Sequence, residues 1–329
     1  MPNVSLDEIE KTARAALSAH GADDWIAAHV ANAIRVAEAQ GNRICGLYYL
    51  ESYCQQLVSG RVKGNVDPIV TKPRPGLVNV DAQFGFAQPA FAKGLGQACD
   101  AARDCGVATL AIRHAHTCTS LGYFTHQIAS AGFIGMGFTN ATAVVAAPGG
   151  KNRILGTNPM AFHVPGRDGV AFGFDQSTSA IALGKITMAN AAGQPIPLGW
   201  AVDANGQPTT DAAAALKGAL VSTGGYKGWG LGLMVEVLAS ALTDTVASFQ
   251  SEPLKAPQGN PHNLGQTYLL LDPTGFAGAA FHDRIDALKA EVGKEDGTRL
   301  PGSIAKMADP VELGDDIWAL TQSLANGPS

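Results

Sequence analysis

A chain of 329 residues with 46% apolar content can bury a sizeable core, in one large or two ordinary domains. Its 23 basic and 28 acidic side chains leave a net charge of −5 with no basic run or stripe, which excludes nucleic acid as a main partner. Gly, Pro or polar residues break every apolar stretch well before the ~18 residues a membrane span requires.

Five cysteines, Cys45, Cys54, Cys99, Cys105 and Cys118, include no CxxC pair, which suits free thiols in a reducing cytoplasm and gives a metal such as zinc little support. The opening MPNVSLDEIEKTA is acidic and amphipathic, without the basic segment and apolar core of a secretion signal, so a cytoplasmic location is expected.

Ser5-Leu6-Asp7-Glu8 has the S-x-x-E form of a capping box, and Ile9, Ala13, Ala16 and Leu17 follow at helical spacing. Asp23 or Asp24 caps a second predicted helix that ends at Gly41, and a third is expected over 47–58, stopping at Gly60. The link Gly41-Asn42-Arg43-Ile44-Cys45-Gly46 is a loop between helices, a common place for site residues. From Pro68 to Pro75 the chain is proline-rich and extended, which marks a domain boundary, and 91–105 reads as a helix.

The stretch 110–162 holds far more turn and polar chemistry than a core needs. Runs 107–112 and 133–138 predict buried strands, and the helix between them, over 121–131, ends at Gly132. Arg113-His114-Ala115-His116-Thr117 therefore leaves a strand just ahead of a helix N-terminus, where backbone N–H groups favour anions. Either this is a ligand cradle, or His114 and His116 are surface loop histidines.

Beyond Phe162, a strand near 170–174 runs into a polar loop, Asp175 to Ser179, with a second loop at Gly184-Lys185 and an ordered excursion with tight turns over 190–210. Gly224-Gly225-Tyr226-Lys227-Gly228 feeds an apolar helix over 229–242. A lysine there suits a phosphate or carboxylate, while the glycines alone would also allow close helix packing. A strand over 266–271, a charged helix over 281–292, the compact turn Arg299-Leu300-Pro301-Gly302 and a closing helix over 311–324 follow.

No complete G-x-G-x-x-G fingerprint follows a strand, and no G-x-S-x-G elbow, Walker loop or H-E-x-x-H occurs. The residues by themselves describe a cytoplasmic enzyme with an anionic ligand on a fold other than the Rossmann fold.

Six segments, in register along almost the whole chain, carry a resemblance: Pro148-Gly149-Gly150-Lys151, Leu155-Gly156-Thr157-Asn158-Pro159, Gly184-Lys185-Ile186, Gly199-Trp200-Ala201-Val202-Asp203 to Pro208-Thr209, the Gly224 to Gly228 turn and Arg299 to Gly302. Together they resemble the malate/L-lactate dehydrogenase family, which includes sulfolactate and ureidoglycolate dehydrogenases and Δ1-piperideine-2-carboxylate (ketimine) reductases.

The resemblance implies an α/β, non-Rossmann NAD(P)-binding fold with a central mixed, mostly antiparallel sheet. A helical domain would form from 1–72 with 284–329, and a central cofactor-binding and catalytic domain from 73–283. It further implies a homodimer using NADPH or NADH, with NADPH slightly favoured. Hydride would pass to a carbon next to a carboxylate, in a 2-oxo acid or a cyclic 2-imino acid.

Carried onto matching positions, His116, Thr117, Cys118 and Thr119 would lie along the cofactor. Thr157 would touch the substrate or the nicotinamide end of the cofactor, and Asp175, Gln176 and Ser177 would line the cofactor loop. Lys227, Gly228, Arg299, Leu300, Pro301 and Gly302 would hold its phosphates. Three polar functions depart from the family pattern. The family's catalytic Ser-His-Gly is Ile44-Cys45-Gly46 here, its substrate-binding arginine falls on Tyr49, and a second histidine falls on Thr117.

Cys45, His116, Lys185 and Tyr49 are the candidate proton-handling replacements, Lys185 being equally a candidate to bind the substrate carboxylate, with Arg43 and Tyr48 beside them for substrate binding. Cys45 could equally be a packed small hydrophobe, and Lys185 a solvated surface residue. An imine reductase would feel the losses least, because a cyclic imine can enter already protonated. The alternatives are a non-redox isomerisation or elimination using Cys45, and a nucleotide-binding paralogue with little catalysis.

Overall fold

The computed structural model describes residues 1–302 and 307–327. After β1 (Asn3–Val4), Ser5 Oγ accepts the Glu8 N–H at 3.2 Å and starts α1 (Leu6–Ala19), whose Ile9, Ala13, Ala16 and Leu17 are all buried as their spacing predicts. α2 (Asp24–Ala39) follows. Two 3₁₀ turns, Arg43–Cys45 and Leu47–Tyr49, then replace the expected loop and the first turn of the third helix, and α3 (Leu50–Ser59) stops at Gly60 with φ 75°.

The middle of the chain builds β2 (Ile69–Arg74), β3 (Leu77–Asp81), α4 (Ala87–Cys105), β4 (Val107–Ala115), α5 (Gly122–Ser130) and β5 (Ile134–Thr139). Short strands β6 (Val145–Ala146) and β7 (Arg153–Leu155) lead into a long hairpin of β8 (Met160–Gly166) and β9 (Gly169–Gln176). Next come α6 (Leu183–Ala191), β10 (Ala201–Val202), β11 (Pro208–Thr209), α7 (Ala212–Lys217), β12 (Ala219–Leu220) and α8 (Tyr226–Glu236), which continues as a π turn over Val237–Ala241. β13 (Leu264–Leu271), α9 (Pro273–Phe276), α10 (Ala280–Val292), β14 (Val311–Glu312) and α11 (Asp315–Ala325) end the chain.

The main sheet has the order β2-β3-β4-β13-β5-β8-β9, and only its β3–β4 pairing is parallel. It is the mixed, mostly antiparallel sheet expected, and its order is not that of a doubly wound fold. Tyr268 and Leu270 of β13 are buried in its centre with Phe91 of α4 and Phe124 of α5. A smaller sheet runs β11-β10-β12-β6-β7.

A separate helical core gathers α1, α2 and α3 with Val311, Leu313 and Trp318 from the other end of the chain, and β1 pairs antiparallel with β14. Four expectations change. The segment 68–75 is an edge strand, where Pro73 costs no inner ladder bond, so the limit drawn at 72/73 falls inside β2. The limit at 283/284 falls inside α10, whose Asp283 and Asp286 pair with Arg167 of the β8–β9 hairpin. Lys185 lies in the first turn of α6 rather than in a loop, and the closing segment opens with β14 before its helix.

Candidate active site

Glu38, buried on α2, fixes the turn that follows it. Its Oε1 accepts the Leu47 N–H at 2.7 Å, and a Cβ on Gly46 would come within 2.1 Å of the same oxygen. A side chain at 46 would therefore have to push Glu38 off this bond, which favours glycine beside Cys45. The Cys45 thiol is half-buried. Loss of water, with the Asp175 carboxylate nearby, pushes it up to about 12. The Tyr49 hydroxyl, on the next turn and within the influence of Cys45, is also pushed up to about 12, mainly by burial.

Asp175 comes from β9, on the other side of the site. Its Oδ2 accepts the Gly122 N–H at 2.8 Å. The N-terminus of α5 thus favours an anion as expected, and the anion it receives is the chain's own carboxylate. Partial removal from water pushes the Asp175 carboxyl up, while the Gly122 and Leu121 N–H groups and Ser120 hold it back.

A cleft of about 580 Å³ opens here, walled by Asn42, Ser120, His163, Asp175 and the backbone of β9, with Gly302 at its edge. Glycine lets these walls approach one another: a Cβ on Gly302 would meet Gly173 O at 2.7 Å, and the Gly173 N–H donates to Pro301 O at 3.3 Å. The turn expected to hold phosphate thus lies directly on β9. Arg299 and Leu300 precede Pro301 in that turn.

Beyond its last residue, Gln176, β9 leads to the remaining predicted positions. Ser177 bonds to Ser179, and the Thr178 N–H donates to Thr157 O at 2.9 Å. The Thr223 N–H donates to Thr178 O at 3.0 Å, which brings in the turn before Lys227 and Gly228. Gly224 and Gly225, at φ 60° and 65°, carry Lys227 to the start of α8. The donors of that turn, the glycine-lined cleft and the exposed Lys227 fit a nicotinamide dinucleotide in the chemistry they offer.

His116 has a different place from the expected one. Its imidazole is 1% exposed and stacked on His262 with ring centroids 4.1 Å apart, and its Nε2 lies 2.6 Å from Gln56 Oε1. Burial holds it well below its ordinary value, so it stays neutral and cut off from water instead of standing at the reacting centre. Thr117 and Cys118 are buried as well, and the Thr117 N–H donates to His262 Nδ1 at 3.3 Å. Burial pushes the Cys118 thiol up. Thr119 closes the loop at φ 58°, a left-handed conformation uncommon for a β-branched residue and a mark of a constrained site. His114, at φ 50°, bonds to Asp81 at 3.0 Å.

Arg43 donates to Glu312 O at 3.1 Å, on the chain-end strand, and Tyr48 is half-exposed beside it. Lys185 is exposed on α6, whose first turn approaches Ile44: a Cβ on Gly184 would lie 4.0 Å from Ile44 Cδ1.

Sequence reasoning missed Tyr53 and Asn42. Tyr53, fully buried, lies among Thr119, Tyr49, Cys45 and Cys118, and its position four residues after Tyr49 on α3 was the available signal. Asn42 hydrogen-bonds Cys45 from the first residue before the turn. His163, pushed down to about 4 chiefly by burial, had no local signal.

The sequence profile of the malate/L-lactate dehydrogenase family matches residues 4–311. A (2R)-3-sulfolactate dehydrogenase (NADP(+)) from Chromohalobacter salexigens is 38% identical over 300 residues, covering 91% of this chain and 90% of that one. A Δ1-pyrroline-2-carboxylate/Δ1-piperideine-2-carboxylate reductase from Pseudomonas aeruginosa is 36% identical over 304 residues, 92% of this chain and 91% of the relative. The crystal structure of Δ1-piperideine-2-carboxylate reductase from Pseudomonas syringae pv. tomato superposes with a TM-score of 0.92 at 32% identity, covering 98% of this chain and 100% of that one.

Proposed function

This chain belongs to the malate/L-lactate dehydrogenase family and is an NAD(P)H-dependent oxidoreductase acting on a carbon next to a carboxylate, and we propose that its preferred substrate is a cyclic 2-imino acid rather than a 2-oxo acid. The observation that carries this reading is the Asp175 carboxylate on the wall of the cleft, beside a turn that holds Cys45 where the family has its catalytic histidine.

Bound NADPH or NADH supplies the hydride, from C4 of its nicotinamide. The naming of NADP(+) in the sulfolactate relative favours NADPH. Thr117 to Thr119, Asp175 to Ser177, Lys227, Gly228 and the turn 299–302 are the residues we assign to the cofactor, and Thr157 to the substrate.

An imine nitrogen that enters protonated is a cation, and the Asp175 carboxylate is the anion on the cleft wall that favours it. Hydride addition to the ring carbon sends the C=N pair onto nitrogen and leaves a neutral amine, so the protein supplies no proton. A ketone instead develops an alkoxide, and neither Cys45 nor Tyr49, both pushed up to about 12, gives a proton readily near neutrality. The same thiol chemistry argues against a non-redox route through a Cys45 thiolate.

The second subunit belongs to this proposal. Tyr226, Leu231, Leu233, Met234, Val237 and Leu242 are exposed all round α8 and its π turn, an apolar surface that favours a second copy of the chain as cover. Among the described residues no helix is long and apolar enough to cross a membrane. The five free cysteines agree with work in the cytoplasm.

The test is consumption of NADPH and of NADH with a panel of five- and six-membered cyclic imino acids, pyruvate and oxaloacetate. Turnover led by a cyclic imine is expected. Turnover led by a 2-oxo acid overturns the substrate assignment, and none on any member overturns the reading of the site.

A further inference from the structure

A substrate carboxylate brought up to Asp175 needs a cation; Tyr49 stands four residues beyond Cys45, where the family has its arginine, and Arg43 is turned toward Glu312 O at 3.1 Å on the chain-end strand. We propose that Lys255 is the cation that binds the substrate's carboxylate. The role rests on the reading of this cleft as the site for a carboxylate substrate.

Lys255 arrives from a segment distant in sequence and lies over the tyrosines of the turn. Its Nζ is 3.6 Å from the centroid of the Tyr48 ring and 5.3 Å from that of Tyr49. The two rings hold the ammonium without neutralising it. The positive charge is therefore available to an incoming anion beside Tyr49, whose hydroxyl is already within the influence of Cys45.

The backbone under Lys255 is fastened in a way that an ordinary surface lysine is not. Gln56 Nε2 donates to Leu254 O and to Ala256 O, both at 2.8 Å, and so grips the residues on either side. Ser59 Oγ donates to Pro257 O at 2.7 Å. The buried Arg61 donates to Pro253 O at 2.9 Å, Ala256 O at 2.6 Å and Asn260 O at 2.9 Å. The carbonyls around one exposed lysine are thus held by side chains of α3 and the residues just after it. Such a fixed base reduces the ordering cost of placing a long, flexible cation on a ligand.

The fastening continues into the cofactor side. Gln56 spends both amide hydrogens on the loop, so its Oε1 is the acceptor and His116 Nε2 the donor in their 2.6 Å contact. His116 is followed directly by Thr117 to Thr119. It is a positioning residue that ties the loop assigned to the cofactor to the loop carrying Lys255.

The experiment titrates pyrrole-2-carboxylate, a flat analogue of a cyclic imino acid, and its uncharged carboxamide into the protein saturated with NADPH. Wild type is expected to bind the carboxylate about tenfold to a hundredfold more tightly than the amide, the range of a hydrogen bond to a charged group. Lys255→Met should remove that preference and Lys255→Arg should keep most of it. NADPH affinity shows that each variant is folded. A Lys255→Met protein that still prefers the carboxylate, or a wild type with no preference, overturns the proposal. Failure of wild type to reduce any imine would overturn the reaction instead, and the carboxylate preference would still decide the role of Lys255.

Discussion

His116 Nε2 lies 2.6 Å from Gln56 Oε1, and through Gln56 that contact extends to Leu254 and Ala256, on a loop far along the chain. One buried imidazole thereby orients an amide that secures the loop of Lys255. With the segment after it assigned to the cofactor, the two halves of the site share a single buried polar connection.

Gln56→Leu removes both donors to that loop and the acceptor for His116, leaving buried polar atoms unpaired. A loss of about 2–4 kcal/mol in denaturant unfolding is expected, with a higher KM for the carboxylate substrate and a smaller change in kcat. Equal losses in KM and kcat for substrate and no change in stability would show that the loop does not depend on Gln56.

Cys45→His places an imidazole, with its ordinary value near 6.5, where the thiol is pushed up to about 12. It should raise kcat/KM for a 2-oxo acid about tenfold or more relative to a cyclic imine, since only the ketone lacks a proton donor. Steady-state rates on one substrate of each kind check this. An unchanged ratio would mean that proton supply does not limit ketone reduction here.

Two buried histidines, His116 and His262, and the half-buried His163 on the cleft wall lower stability in acid. Burial pushes His163 down to about 4 and His262 to about 3, and His116 falls well below its ordinary value. An unfolded chain binds a proton at each of these near pH 6.5, whereas the native chain does not until far lower pH. Protons therefore favour unfolding as pH falls below about 6.5, by up to about 1.4 kcal/mol per pH unit for each histidine. Unfolding midpoints should drop steadily toward pH 4. A flat profile over that range would show that these imidazoles can be charged in the folded protein.

Val237→Glu puts a charge on an apolar surface where Val237 is 57% exposed. If that face joins two copies, light scattering should show a dimer for wild type and a monomer for the variant at micromolar concentration. Dimers in both would move the interface elsewhere.

Much of the fold was legible because it is written locally. Ser5 and Gly60 act where a cap and a stop belong, and the alternating apolar runs became β4 and β5. The site was legible in its parts but not in its arrangement. Cys45, Tyr49 and Asp175 stood out as residues, yet only the sheet order brings β9 against the turn after α2. His116 was read as part of a ligand cradle or as a surface loop histidine because it leaves a strand ahead of a helix, while tertiary packing against Tyr53, Phe86 and His262 buries it. Lys255 and Gln56 left no motif, since their relation joins segments far apart in sequence.

The central claim is that this site favours a protonated C=N over a C=O. The direct measurement is a competition at neutral pH, with Δ1-pyrroline-2-carboxylate and pyruvate at equal concentration, limiting NADPH, and the two products quantified together. The account predicts an excess of the amino acid of about tenfold or more. Equal products, or an excess of the hydroxy acid, would contradict it.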